Sequence, residues 1–88
     1  MKIHPDFTIQ KVGGSYVAVP VGESSKRFHG MLQLNDTAAF LWNLMVERDC
    51  TEEDLTDALL ADYQVERELA ARDVHRIVTQ LSENGILI

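Results

Sequence analysis

Strand-like sequence is confined to the first third of the chain and helix-like sequence to the rest, and this order limits the fold more than any other feature. Residues 7–12 and 16–21 are rich in β-branched and aromatic side chains and flank Gly13-Gly14, a pattern typical of a β-hairpin. Residues 28–34 fit a third strand. Runs of strands followed by runs of helices favour an α+β domain over a parallel sheet.

Alternation within the strands predicts which side chains face the core. Val17, Val19 and Val21 lie on one face of the second strand, and we assign that face to the core because all three are apolar. In the third strand, Leu32 and Leu34 share a face in the same way.

Three helices are predicted, at about residues 36–48, 52–62 and 66–84. Thr51 and Asp54 have the spacing of a capping box, which marks the start of the second helix. The third helix carries an apolar stripe at three- and four-residue steps, formed by Ala70, Val74, Ile77, Val78 and Leu81. We expect the apolar tail that follows it to pack on the core.

The order of these elements predicts a specific α+β architecture. A short connection between the first two helices, followed by the third, fits a helix-turn-helix beside a small sheet. We therefore predict a winged helix-turn-helix-like fold in which a three-stranded antiparallel sheet is followed by three helices. A chain of 88 residues supports one compact core, so residues 1–88 are expected to form a single domain.

The charge balance argues against nucleic acid as a partner. The chain has 14 acidic and 8 basic residues and a formal net charge of −6. Binding to duplex DNA depends on Lys and Arg side chains that neutralise phosphates, so the sign of the charge is wrong for it. A winged-helix DNA-binding or transcription-regulatory domain stays as the alternative, because the order of the elements permits it.

Other features of the composition indicate a cytoplasmic protein. Cys50 is the only cysteine, which excludes an internal disulfide. The amino terminus has no apolar run resembling a secretion signal, and no apolar stretch approaches the roughly 20 residues that span a bilayer. We therefore expect no membrane partner.

No group of side chains in the sequence resembles a catalytic or metal site. His4, His29 and His75 lie in three different elements, and Cys50 has no histidine near it in sequence. Nucleophilic catalysis needs a nucleophile held by a base, and no such pair is evident. We expect no catalytic residue, no metal, no cofactor and no independent enzymatic activity.

Residues 30–42 read GMLQLNDTAAFLW and resemble a segment of the PqqD-like family, a strand followed by Leu-Asn-x-Thr-(Gly/Ala)-x-x-(Ile/Leu)-Trp. Members of that family are peptide chaperones of pyrroloquinoline quinone and other ribosomally made peptide natural products, also called RiPP recognition elements. The hairpin with VAVP at residues 17–20, the start of the second helix and LSENGIL at residues 81–87 match as well, so the resemblance covers about residues 7–88. Ala38 stands where Gly is more usual.

The resemblance implies a fold and a set of partners. The family has three strands and three helices in a winged-helix arrangement. Its members bind the leader part of a precursor peptide as an added strand beside the third strand, in a groove shared with the third helix. They also dock on a peptide-modifying enzyme, often a radical SAM enzyme. A homodimer is compatible with the sequence.

Specific residues fit the binding of a peptide as an added strand. The third strand carries neither charge nor proline from Gly30 to Leu34, and these are the usual protections of an open edge. Ile77 and Gln80 are predicted as the other wall of the groove, and Arg72 and Arg76 as contacts for acidic leader residues. The expected peptide-binding residues are Gly30, Met31, Leu32, Gln33, Leu34, Arg72, Asp73, Arg76, Ile77 and Gln80. We further expect a charge at Met31 or Ile77 to weaken peptide binding without unfolding the domain.

A simpler interpretation competes with this one at the level of single residues. The third strand would then be an ordinary strand covered by the amino terminus. Arg72 and Arg76 would be solvated partners of Glu68 or Asp73 on their own helix.

Overall fold

The computed structural model describes residues 1–22 and 32–88. Its sheet starts with β1 (Phe7–Val12) and β2 (Ser15–Pro20), which are antiparallel. A two-residue turn joins them, and Gly13 has a φ of 63° there, a conformation that glycine adopts without steric cost. The predicted hairpin is confirmed.

A third strand completes the sheet. β3 (Leu32–Leu34) pairs antiparallel with β2, so the strand order is β1-β2-β3 and β3 is an edge strand. Of the strand predicted at residues 28–34, only the last three residues fall in the part of the chain that the structure describes. The predicted three-stranded antiparallel sheet is confirmed.

The tight turn determines the direction in which each backbone group points. The residues that flank a two-residue turn are hydrogen-bonded to each other, so Ser15 directs its N–H and C=O towards β1. Successive residues of a strand point to opposite sides, and Tyr16 therefore pairs with Leu34 of β3. By the same alternation, the N–H and C=O of Gln33 point away from β2, towards the open edge of the sheet.

Three helices follow the sheet: α1 (Asp36–Glu47), α2 (Glu52–Asp62) and α3 (Arg67–Glu83). The Asn35 side chain caps α1 by accepting a hydrogen bond from the Ala38 amide at 2.8 Å. These bounds agree with the predicted helices to within one residue at each end, and the α+β class with its helix-turn-helix order is confirmed.

The start of α2 is held by the predicted capping box. The Asp54 amide donates to the Thr51 hydroxyl oxygen at 3.0 Å, and the Thr51 amide donates to the Asp54 carboxylate at 2.9 Å. The hydrogen bond from the Thr51 amide holds the pKa of the Asp54 carboxyl below its ordinary value of 3.8.

One core joins the sheet to all three helices. Leu41, Trp42 and Met45 of α1 are fully buried at its centre. The predicted stripe of α3 is buried as a whole: Ala70, Val74, Ile77, Val78 and Leu81. The carboxyl-terminal tail packs on the core as expected, with Ile86 fully buried.

The assignment of the buried face of β2 was wrong by one residue. Ala18 is buried and Tyr16 packs against the core, whereas Val17 and Val19 lie half-buried on the outer face of the sheet. Val21 lies beyond the strand and is exposed. Alternation specifies which residues share a face, but it does not specify which face meets the helices, and a shift of one residue exchanges the two.

Within the described residues, no helix is both long enough and apolar enough to cross a bilayer.

The capping box makes the stability of the domain depend on pH in a specific way. A carboxyl whose pKa is depressed by folding stabilises the fold above its unfolded-state pKa of 3.8, and this contribution is lost as the pH falls through the lower folded-state value. We expect Asp54→Asn to have a lower free energy of unfolding than the wild type at neutral pH. The difference should shrink well below pH 3.8.

Urea unfolding followed by far-UV circular dichroism measures both free energies. An equal difference between wild type and Asp54→Asn at neutral and strongly acidic pH would show that the Asp54 charge has no such role. Thr51→Ala is the companion variant, expected to cost about 1 kcal/mol through the lost cap.

Candidate functional site

The open edge of β3 faces α3 across a cleft of about 420 Å³. Gln33 and Leu34 line the cleft from the strand, and Arg76, Ile77 and Gln80 line it from the helix. The hairpin and the start of α1 complete the lining with Gly14, Ser15, Asn35, Asp36 and Ala38. Five of the residues predicted for peptide binding therefore meet in one cleft.

Within the described residues, backbone groups on the strand side of the cleft have no partner strand. The N–H and C=O of Gln33 point towards the cleft, and no other strand among the described residues pairs with this edge. The Gln33 side chain is turned to the outer face of the sheet, where its amide donates to the Ser15 hydroxyl oxygen at 3.1 Å. The backbone of Gln33 is thus available to a partner in extended conformation.

The amino terminus does not cover this edge. Lys2 donates its amide to the Ile88 carbonyl at 3.0 Å, and His4 donates to the Ile86 carbonyl at 2.7 Å. A bridge between Ile3 and Leu87 lies between these two bonds. The amino terminus therefore pairs with the carboxyl-terminal tail, and the interpretation in which it protects β3 is wrong.

The floor of the cleft is apolar and belongs to the core. Ile77 is 1% exposed and Leu34 is buried beside it. The expectation that a charge at Ile77 would leave the domain folded is therefore wrong, because the charge would have to be buried without a partner. Ile77 shapes the cleft from below, while Arg76 and Gln80 form the accessible part of the wall.

The helix wall supplies a cation. Arg76 lines the cleft, and neither it nor Arg72 forms a salt bridge within the described part of the chain. The third arginine of α3, Arg67, is bonded to Asp57 of α2 at 2.9 Å. The interpretation that pairs Arg72 and Arg76 with Glu68 or Asp73 has no support in this geometry, and the Arg76 guanidinium remains open to a ligand.

Comparison with known proteins agrees with this architecture. The family described as Coenzyme PQQ synthesis protein D (PqqD) matches residues 16–87. The chain belongs to the PqqD family. The match begins in β2 and includes β3, all three helices and most of the tail, so the cleft lies inside it, apart from Gly14 and Ser15. No curated protein sequence matches the chain.

Two solved structures share the fold. A lasso peptide synthetase B1 complexed with the leader peptide is 30% identical, with a TM-score of 0.72 over 97% of this chain and 93% of that one. TbiB1 in complex with the TbiA(beta) leader peptide is 22% identical, with a TM-score of 0.75 over 99% of this chain and 94% of that one. The second likeness concerns the fold alone.

Three other predicted site residues of this PqqD family member, Leu32, Arg72 and Asp73, lie outside the cleft lining. Leu32 pairs with Ala18 of β2 and packs on the core. Arg72 is exposed on α3, and Asp73 lines a separate hollow nearer the start of that helix. Gly30 and Met31 lie outside the described residues.

The sequence pattern did not indicate the cleft residues contributed by the hairpin turn and by the start of α1. Asn35 and Asp36 directly follow β3 in sequence, and this adjacency was the signal from which their place in the cleft could have been predicted. Gly14 and Ser15 reach the cleft because β2 pairs with β3 at the turn end of the hairpin. No three metal-binding side chains converge anywhere in residues 1–22 and 32–88.

Ile77 and Gln80 both line the cleft from α3, but they differ in burial. We expect Ile77→Asp to lower the free energy of unfolding by about 4 kcal/mol or more, because it removes a core side chain and buries an unpaired charge. Gln80→Glu adds the same charge at a half-buried position that does not belong to the stripe, and should change stability by no more than about 1 kcal/mol.

Thermal and urea unfolding of the two variants measure this contrast. A cooperative transition of wild-type stability in Ile77→Asp would contradict the position of Ile77 beneath the cleft.

Proposed function

We propose that this chain binds the leader segment of a ribosomally made precursor peptide as an added strand on β3 and presents it to a separate modifying enzyme. The observation that carries the proposal is the unpaired edge at Gln33, which faces the wall of Arg76, Ile77 and Gln80 across an open cleft. Membership of the PqqD family supports it, as do two proteins of the same fold that are complexed with leader peptides.

Backbone pairing explains how such a domain holds a flexible peptide. An added strand forms main-chain hydrogen bonds whatever its sequence, so the strand edge supplies affinity while side-chain contacts supply selectivity. β3 is already fixed by its pairing with β2, and the domain therefore loses little conformational freedom when the peptide adds to it.

The opposite wall gives the cleft its chemical preference. Arg76 is a cation without a salt-bridge partner among the described residues, and its guanidinium suits a carboxylate. The floor at Leu34 and Ile77 is apolar. We therefore propose a leader segment in which an acidic residue stands close to an apolar one, and we retain Arg72, Asp73, Gly30 and Met31 as proposed contacts at the ends of the bound segment.

The role we propose is binding, without catalysis by this chain. The described residues assemble a cleft for an extended chain, and its polar lining lacks a nucleophile held by a base. The reaction would belong to the partner enzyme, for which a radical SAM protein is our proposal. We propose that residues 1–88 act as one peptide-binding domain in the cytoplasm, where precursor peptides are made, and that a homodimer is a further assembly to test.

DNA binding is not favoured by the charges around the helix-turn-helix. α2 carries Glu52, Glu53, Asp54, Asp57 and Asp62 and has no Lys or Arg. In a helix-turn-helix complex this helix lies close to the phosphate backbone, where five carboxylates would be repelled.

Proline at position 33 isolates the contribution of the strand edge. The Gln33 N–H points away from β2, so Gln33→Pro should keep the β2–β3 pairing while removing the donor offered to the peptide. We expect peptide affinity to fall by about tenfold, the effect of losing one main-chain hydrogen bond. Fluorescence anisotropy with a labelled leader peptide measures it.

Gln33→Val is the matched control, because it removes the same side chain and keeps the amide. Its affinity should stay within about twofold of the wild type. If both variants bind as the wild type does, the peptide does not pair with β3.

Charge reversal at Arg76 tests the helix wall. Arg76→Glu should weaken binding of an acidic leader by about tenfold or more and reduce the dependence of affinity on salt, since the attraction between charges is screened by ions. Arg48→Glu makes the same change in net charge at the far end of α1, about 18 Å along that helix from the cleft. An equal loss in both variants would point to a general charge effect and contradict a contact at Arg76.

A further inference from the structure

The hairpin turn forms a third wall of the cleft, at the end where β3 stops. β2 and β3 are antiparallel, and Tyr16 pairs with Leu34, the last residue of β3. Ser15 and Gly14 lie beyond that end of the strand, and both line the cleft. Asn35 lines it at the same end, where the chain leaves the sheet to begin α1. A peptide that runs along β3 past Leu34 therefore meets the turn.

The two glycines of this turn have different backbone conformations. Gly13 has a φ of 63°, in the left-handed region that favours glycine, whereas the φ of Gly14 is not positive. A two-residue hairpin turn with a positive φ at its first residue alone is of type II′, which requires glycine only at that residue. The conformation of the turn therefore explains Gly13 and does not explain Gly14.

Packing within the protein does not require glycine at position 14 either. A Cβ atom added to Gly14 would have no described atom within 4 Å apart from its neighbours in the chain. The place of a side chain is thus open space, next to a residue that lines the cleft. Glycine also loses more conformational freedom on folding than any other residue, so it is unfavourable where nothing requires it.

We infer that Gly14 is a specificity-determining residue of the cleft: because it has no side chain, the backbone of the bound peptide can pass in contact with the turn as it leaves the Leu34 end of β3. Glycine is typical of positions where a ligand or a second backbone comes close to the main chain. The inference rests on the proposed function and adds a steric filter to it. A larger residue at position 14 would admit only peptides that have glycine where they pass the turn.

Thermal unfolding of single variants distinguishes the two glycines. We expect Gly14→Ala to unfold at the wild-type temperature or up to about 8 °C above it, because alanine restricts the unfolded chain without strain in the folded one. Gly13→Ala should unfold at a lower temperature, because alanine is strained at a φ of 63°. A fall in Gly14→Ala as large as that in Gly13→Ala would show that the fold requires both glycines, and would overturn the inference.

Binding is tested with peptides selected on the wild-type protein from a displayed library of random 15-residue sequences, restricted to those that lose affinity for Gln33→Pro. Gly14→Gln should bind them at least about tenfold more weakly by fluorescence anisotropy, because its side chain fills the space that the peptide occupies. Gly14→Ala should lie between Gly14→Gln and the wild type.

Val12→Gln is the matched control. It places the same side chain on the other side of the turn, at a position that is 59% exposed and outside the cleft lining. Its affinity should stay within about twofold of the wild type.

Selection repeated on Gly14→Gln tests the steric filter itself. We expect the enriched peptides to have glycine at one fixed distance from their strand-forming run, where peptides selected on the wild type accept larger residues. The same residue preferences on both proteins would overturn the inference.

The outcomes separate this inference from the proposed function. If Gly14→Gln binds the chosen peptides as the wild type does, or if Val12→Gln weakens binding equally, the role of Gly14 is overturned. Strand addition then stands, because the peptides were chosen by their loss of affinity for Gln33→Pro. If no peptide selected on the wild type loses affinity for Gln33→Pro, the proposed function fails and the inference fails with it.

Discussion

The burial of Leu41, Trp42 and Met45 at the centre of the molecule is the interaction on which the rest of the structure depends. These side chains place α1 in contact with β2 and β3, and they belong to the same core as Leu55 of α2 and Ile77 of α3. The core therefore fixes α3 relative to β3 while leaving a gap between them. The gap is the cleft, and its floor is the surface of that core.

The same arrangement explains why a domain of this size keeps an open strand edge. An unprotected edge invites association with other chains, and folded proteins usually cover or charge it. Here α3 stands across from the edge and restricts access to a segment thin enough to enter the cleft. The net charge of −6 adds a general repulsion between copies of the chain, whereas Arg76 offers a local attraction to a carboxylate. Strand addition is thus allowed for a suitable peptide and discouraged for large partners.

Much of this could be predicted from the sequence, because the signals are local. Alternation around Gly13-Gly14 indicated the hairpin, three- and four-residue spacing indicated the stripe of α3, and Thr51 with Asp54 indicated the start of α2. The failures concern three-dimensional relations. Which residues of β2 face the core depends on which face of the strand meets α1. Ala18 faces the core, whereas Val17 and Val19 do not.

Prediction of the site from the sequence failed in the same way, where a residue's place depends on three-dimensional contacts. Gln80 was predicted beside the buried stripe and Arg76 as a contact for acidic leader residues, and both line the cleft. Arg72, one turn earlier, is exposed and lies outside the lining. Gly14 and Ser15 could not be found from their own sequence, since their place depends on the pairing of β2 with β3. The burial of Ile77 beneath the cleft could be found only from the structure, because an apolar helix stripe does not show which of its side chains a ligand in the cleft can reach.

The central claim is that a peptide pairs with β3 through the backbone of Gln33, and the exchange of the Gln33 amide hydrogen with solvent tests it most directly. NMR would follow the exchange of individual amides with and without a saturating leader peptide, with an unrelated acidic peptide as control. We predict that the leader slows exchange at Gln33 by at least about tenfold, while the acidic control leaves it unchanged. Exchange at Gln33 that stays fast when the leader is fully bound would contradict strand addition at this edge.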